Sequence, residues 1–590
     1  MPRTAPILPT RSDRPGRGGP RRSLLLAIVG VVVLGLVVSG VWTACTGPDD
    51  RDDAATDRTA APSPSPSLVV PTGDPATQAR AIAGRLADVD LVGQMLMPFV
   101  YGDDPDDVTD ATRKLNLART GAGTPSEIVA KYRLGGVILV RRASDDPTAA
   151  TNPASNVGTP EQVRRFTDGL RKSAGKLPAG VPLMIGVDQE HGTVTRIRDG
   201  VTRLPTAMAF GAADDPALTE QAAHVSGTEL ATLGIDVDFA PDADVIGGPG
   251  NVVIGSRSYG ADPTAVGKQV TATVRGYQKA GVATALKHFP GHGHTDVDSH
   301  EALPVLGQDR RTLEREDLAP FRAGIDAGSE IVMSGHLDAQ AIDPGTPASL
   351  SRKVLIDLLR GEMGFTGMVV TDGLDMKALT DKYSAGEVAV RAVLAGNDLL
   401  LLPPDVAAAQ RALLAALKSG RLPRERAVEA VTRILTVKLT QRPTPSGLET
   451  LRSPQHQAVV DEVAAKAVTV LRGKCDGALV RGPVTITGGS AEARDFLTAA
   501  LGRQGVRVGA GGDSIHLTGY LDGAADLRPA TVTVATDTPY LLASAKSPTL
   551  VATYGNVEAS MKALAAVLTG KAKAGGRSPV PVSGLPRSAC

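Results

Sequence analysis

Eight short apolar runs recur between residues 93 and 403: "GQMLMPFV", "GGVILV", "PLMIGVDQE", "DVDFAPDAD", "ATALKHFPG", "EIVMSGH", "MVVTDGLD" and "NDLLLLP". They are spaced at intervals of roughly 30 to 50 residues, and stretches with helical rhythm, such as "TEQAAHVSGTELATLG", lie between most of them. A strand with one wet face alternates apolar and polar residues. These runs are continuous, as strands buried on both faces are. Eight strand–helix units of this kind predict a (β/α)8 TIM-like barrel over residues 78–440. Polar residues gather just past the runs, at Asp188, Asp242, Lys287, His288, His336 and Asp372. That is the strand end where such barrels carry their sites.

The flanks differ in composition. A Pro/Gly/Ser-rich connector occupies residues 441–455, and residues 456–590 alternate runs such as "GPVTITGG", "DSIHLTGYL" and "ATVTVAT" with helical stretches. This tail predicts a smaller α/β sandwich domain; its lone Gly-Gly after a strand reads as an ordinary βα turn. Residues 1–22 hold six arginines and one aspartate, and "SLLLAIVGVVVLGLVVSGVW" follows from Ser23 to Trp42. As a helix this run reaches about 28 Å, enough to cross a bilayer core. The arginines before it predict a cytoplasmic N-terminus and an exported remainder. Residues 23–44 are therefore either an uncleaved membrane helix or a lipoprotein signal ending at "WTAC", with Cys45 as the lipidated residue. Both readings tether the protein outside the membrane. Residues 45–77 are rich in Pro, Ser, Thr and Asp and predict a disordered linker. Cys475 and Cys590 either pair in an oxidising compartment or remain free.

Lysine plus arginine and aspartate plus glutamate stand at 63 each, and aromatic residues make up only 3% of the chain. No basic excess and few rings for base stacking argue against nucleic acid as a partner. The segment "KHFPGHGHTDVDSH", residues 287–300, concentrates four of the nine histidines. Zinc is one reading of it. Pro290 and Gly291 break any helix, however, so His288 and His292 do not share a helix face, and no cysteine is near. Proton transfer is the other reading: Asp298 and His300 lie two apart, where a carboxylate orients an imidazole and raises its pKa. A plain loop ion pair explains that spacing equally well. Asp372, ending a strongly apolar run, is either a nucleophile on a rigid rim or an N-cap for the next helix. Asp188 invites the same pair of readings.

Together "KHFPGHGHTDVDSH", "GVDQEHGTVTRIRDGVTRLP", "LGIDVDFAPDADV", "IGSRSYG" and "VVTDGLDMKAL" resemble glycoside hydrolase family 3, in its NagZ-type β-N-acetylglucosaminidase branch. The resemblance spans about residues 80–440 and implies a retaining, double-displacement mechanism without metal or organic cofactor. It implies Asp372 as nucleophile, His300 as acid/base with Asp298 as its partner, and Asp188, Arg196, Arg257, Lys287 and His288 as sugar-binding residues. His292 and His294 are read as structural. The implied partner is a carbohydrate, GlcNAc at the non-reducing end of cell-wall fragments. His191 and Thr193 depart from the family, which commonly has Gly and Arg there. With Trp42 the only tryptophan, stacking platforms for a long polysaccharide are missing, which favours removal of one terminal sugar. The alternatives are a family 3 β-glucosidase, a GlcNAc phosphorylase, and an inactive sugar-binding lipoprotein.

Overall fold

The computed structural model describes residues 73–141, 155–440 and 445–590. The apolar run Ser23–Trp42, Cys45 and most of the 45–77 segment lie outside them. Among the described residues no helix is long and apolar enough to cross a membrane.

Each of the eight apolar runs holds a strand: β1 (Leu96–Met97), β2 (Gly136–Leu139), β3 (Met184–Val187), β4 (Val237–Asp238), β5 (Ala283–Phe289), β6 (Ile331–Ser334), β7 (Met368–Thr371) and β8 (Leu400–Leu401). Strands β2 to β7 form one parallel sheet in sequence order, and β1 pairs with β8. Backbone bonds link that pair to both sheet edges: Ile138 N–H donates to Pro98 O at 3.1 Å, and Thr371 N–H to Leu399 O at 3.0 Å. The result is an α/β fold around a curled parallel sheet. All four residues of β2, β3, β6 and β7 are buried, which explains their unbroken apolar character. Inside the curl, side chains need space. A Cβ on Gly186 of β3 would lie 2.7 Å from both Met97 and Phe239, so only glycine admits their packing.

Helices follow the strands and start on strong local signals. Pro160–Ala174, Pro216–Thr232 and Pro263–Ala280 each begin with proline after Thr159, Asp215 or Asp262, whose side chain accepts a first-turn N–H. Proline has no N–H to leave unpaired there, and its fixed φ suits the first turn.

The second lobe is a single five-stranded sheet of β9 (Thr469–Arg472), β10 (Val484–Gly488), β11 (Asp513–Thr518), β12 (Val532–Ala535) and β13 (Thr549–Ala552). Its order is β9-β13-β12-β11-β10, parallel except for β9. Helices Ala491–Arg503, Glu558–Leu568 and Pro454–Ala467 pack in succession, and the last lies on helices Ala207–Ala213 and Pro216–Thr232 of the first lobe. One apolar cluster spans both lobes, joining Met208, Ile246 and Ile254 to Leu471, Leu542, Tyr554 and Val580. Cys475 and Cys590 form a disulfide, which settles the pairing that sequence left open.

Candidate active site

The site lies at the C-terminal ends of the parallel strands, and a bulge shapes its centre. Between Leu286 and Phe289 the register of β5 against β6 slips by one residue. In a regular strand Lys287 and His288 would face opposite sides; the bulge lets both reach carboxylates. Lys287 Nζ is 2.9 Å from Asp188 Oδ1 and 2.6 Å from Glu190 Oε1. His288 Nδ1 lies 2.8 Å from Asp244 Oδ2.

Arg257, on the turn Gly255–Arg257, completes the cluster. It donates from Nε to Glu190 Oε2 at 2.7 Å and from Nη2 to Glu190 Oε1 at 3.0 Å. Its Nε is also 3.2 Å from Asp242 Oδ2, and its Nη2 is 3.3 Å from His288 Nε2. The forked pairing with Glu190 fixes the guanidinium plane as a single bond would not. Burial works to raise the Glu190 carboxyl, yet Arg257 and Lys287 bring it down to about 2. Burial likewise opposes charge on Lys287, but Asp188, Glu190 and Asp242 outweigh it and hold the ammonium charged. Arg196 is looser, with Nη2 3.9 Å from Asp188 Oδ2 and a buried Nε that bonds to nothing in the protein. It keeps donor capacity for a ligand. The five expected sugar-binding residues therefore come together, and Glu190, Asp242 and Asp244 join them.

Asp372 follows β7. Its Oδ1 accepts the Gly373 N–H at 2.7 Å, and the N-cap position of helix Lys377–Thr380 is Met376, without a side-chain cap bond, so the N-cap reading of Asp372 fails. His336, fully buried, lies 2.8 Å through Nε2 from Gly373 O and 2.8 Å through Nδ1 from Ser349 Oγ, holding the backbone beside Asp372. Burial pushes the Asp372 carboxyl up, but His288, His336 and His300 overcome it and keep the group well below the usual carboxylate range. A carboxylate kept ionised beside imidazoles is chemically suited to attack an electrophilic carbon.

His300 is an exposed residue of the 291–304 loop, much of which is buried. Asp298 Oδ1 accepts its N–H at 2.8 Å and lies 2.8 Å from its Nδ1, an Asx turn that orients the ring. The bond to Asp298 raises the His300 pKa; partial burial opposes this, and Asp372 adds to the rise. His292 lies 2.9 Å from Thr295 Oγ1 and 3.2 Å from Ser299 Oγ, and His294 Nδ1 lies 2.8 Å from Asp317. The four imidazoles thus hydrogen-bond to different side chains, although the His292 N–H donates to Asp244, the partner of His288, and those two rings meet edge-on at 5.8 Å. Among the described residues the one group able to gather round a metal is Asp242, Asp244 and His288, within 4.8 Å of one another. The Arg257 guanidinium already supplies positive charge there.

Behind the cluster is a cavity of about 40 Å³, lined by Glu190, His191, Asp242, Arg257, Tyr259 and Tyr277 among others. His191 fills its edge, with Nε2 2.9 Å from Ser226 Oγ. Burial, with help from Arg203, drives its pKa down to about 3, so it is neutral.

The profile of the Glycosyl hydrolase family 3 N terminal domain matches residues 90–437. A "Beta-hexosaminidase A" of Pseudoalteromonas piscicida is 34% identical over 385 residues, covering 60% of this chain and 62% of that protein. A "Beta-hexosaminidase" of Stenotrophomonas maltophilia (strain R551-3) is 38% identical over 278 residues, covering 46% of this chain and 76% of its own length. Among solved structures, the glycoside hydrolase family 3 β-N-acetylglucosaminidase from Paenibacillus sp. str. FPU-7 aligns with a TM-score of 0.73 at 34% identity, covering 84% of this chain and 99% of that one.

Proposed function

This chain belongs to glycoside hydrolase family 3, and from that premise we propose that it is a retaining exo-β-N-acetylglucosaminidase releasing terminal GlcNAc from peptidoglycan-derived fragments. The observation that carries the reading is the pairing of an ionised strand-end carboxylate, Asp372, with an exposed imidazole, His300, aimed by Asp298. In the first step an Asp372 oxygen attacks the anomeric carbon while the His300 imidazolium gives its proton to the departing glycosidic oxygen. In the second, neutral His300 takes a proton from water, the water oxygen bonds to the same carbon, and Asp372 leaves. Two inversions give net retention. Asp188 accepts from sugar hydroxyls, and Arg196, Lys287, His288 and Arg257 donate to or frame them.

Two relatives named β-hexosaminidase and a fold neighbour that is a β-N-acetylglucosaminidase support the sugar assignment. We read the eight parallel strands as one closed (β/α)8 barrel, supported by the backbone bonds at both seams. Tethering outside the cell membrane is also proposed, supported by the run Ser23–Trp42 and the Cys475–Cys590 bond.

The decisive experiment is incubation with an aryl β-GlcNAc and with a slow fluorinated GlcNAc donor, followed by peptide mapping. The expected result is β-configured GlcNAc as first product and a label on Asp372. A label elsewhere or an α-configured product overturns the mechanism. GlcNAc binding with no turnover makes the protein a sugar-binding one. GlcNAc 1-phosphate formed on adding phosphate makes it a phosphorylase.

A further inference from the structure

We propose that the second lobe is a working part of the sugar site: Asp537, just past β12, is a positioning residue that sets Arg257 through Ser256. This rests on the sugar-site reading above. The turn that carries Arg257 is held by the second lobe at several points. The Ser256 hydroxyl, buried, donates to Asp537 Oδ1. Thr538 Cγ2 lies 3.5 Å from where a Cβ on Gly255 would stand, at a φ of +44°. Ile254, 1% exposed, belongs to the apolar cluster built largely from second-lobe residues. On the far side of the turn, Ala261 N–H donates to Pro579 O at 3.1 Å. Pro579 also stands 2.9 Å from where a Cβ on Gly260 would be.

Arg257 is thus a member of the charged cluster whose local backbone is fixed from the second lobe and not by the curled sheet. Asp188, Lys287 and His288 stand on or just past strands and inherit their rigidity. Arg257 sits on a three-residue turn with no ladder to hold it. Its guanidinium must nevertheless meet Glu190, Asp242 and His288 at once, and a small displacement of a binding group costs affinity steeply. Removing the Asp537 acceptor leaves a buried hydroxyl unpaired beside that turn, so the turn relaxes and the guanidinium loses register.

The test compares Asp537→Ala, Asp537→Asn and Glu492→Ala in the full chain. Glu492 pairs with Arg203 across the same two lobes, away from the Arg257 turn, and controls for docking in general. We expect Asp537→Ala to raise KM for aryl β-GlcNAc about tenfold while kcat changes less than about twofold, because ground-state and transition-state binding are lost together. Hydrogen exchange across residues 254–261 should rise in parallel. Asp537→Asn keeps an amide oxygen for Ser256 and should restore both quantities; Glu492→Ala should change neither. Unchanged exchange and KM in Asp537→Ala overturn the proposal. So does an equal effect in Glu492→Ala, which would mean docking alone matters, and so does failure of Asp537→Asn to rescue. The exchange readout needs no substrate, so a wild type without turnover refutes the enzyme assignment and leaves the brace to be judged on its own.

Discussion

The two ends of the curled sheet each carry a buried charged cluster, and they are built on opposite rules. At the N-terminal end, Asp398 precedes β8 and is fully buried. Its Oδ2 accepts from Arg360 Nη2 and from the Val369 N–H; its Oδ1 accepts from Arg426 and Arg433. Asp236, before β4, bonds Arg171 and the Ile185 N–H in the same manner. These carboxylates are saturated by the fold itself. At the C-terminal end, Asp242 meets Arg257 only as an ion pair at 3.2 Å, its oxygens and the Nε of Arg196 make no hydrogen bond within the protein, and His300 is exposed. Aspartate and arginine occur in both clusters, so those residue types alone do not explain the difference. Arg360 Nε in the first cluster is as unpartnered as Arg196 Nε in the second, so what separates the clusters is the carboxylates. Those of Asp398 and Asp236 are used up, that of Asp242 has capacity left over, and left-over capacity is what a ligand can take.

Three measurements would break or sharpen that contrast. The largest effect should come from Asp372→Ala, lowering kcat by about ten-thousandfold or more while the thermal midpoint barely moves. Loss of the fold in this variant would erase the distinction between the ends. Next is Asp398→Ala, which strands three guanidiniums in a buried setting. It should cost about 3–5 kcal/mol of stability in denaturant unfolding, with the specific activity of the remaining folded protein unchanged. A drop in specific activity at low temperature would show that the floor reaches into the chemistry. The smallest is Asp298→Ala. In the proposed mechanism His300 must be charged to protonate the leaving oxygen, and Asp298 is the main reason its pKa is raised. Without Asp298 that pKa falls, so the basic limb of kcat/KM against pH should shift to lower pH, with less than about a tenfold loss near neutrality. A basic limb that stays in place assigns the limb to another group.

Much of this was legible in the residues themselves. All eight apolar runs became strands, because a strand covered on both faces has nowhere to place a polar residue. Asp188 and Asp372, just past their strands, and Lys287 and His288, near the end of β5, were legible for the related reason that polar residues ending such a run land on the rim. Glu190 and Asp244 were passed over. Each lies two residues beyond a recognised rim position, at the spacing that returns a side chain to the same face, and that spacing was the available signal. The partners of Lys287 and His288 are set by the bulge in β5, and no local pattern announces a bulge. The tail was read as a smaller α/β sandwich domain, and it folds as one five-stranded sheet with helices beside it; the strand order was not legible, because no local pattern decides which strands become neighbours. Ser256 and Asp537 are 281 residues apart, and such a meeting belongs to tertiary packing alone.

The bond between Cys475 and Cys590 has a consequence for physiology. It fastens the strap that ends at residue 590 to the loop after β9, and Ala589 N–H donates to Val470 O within β9 itself. The same strap supplies Pro579 to the Arg257 turn. With that brace acting as proposed, grip on the sugar is coupled to the thiol–disulfide balance of the surroundings: firm where oxidants prevail, slackened where reductants do.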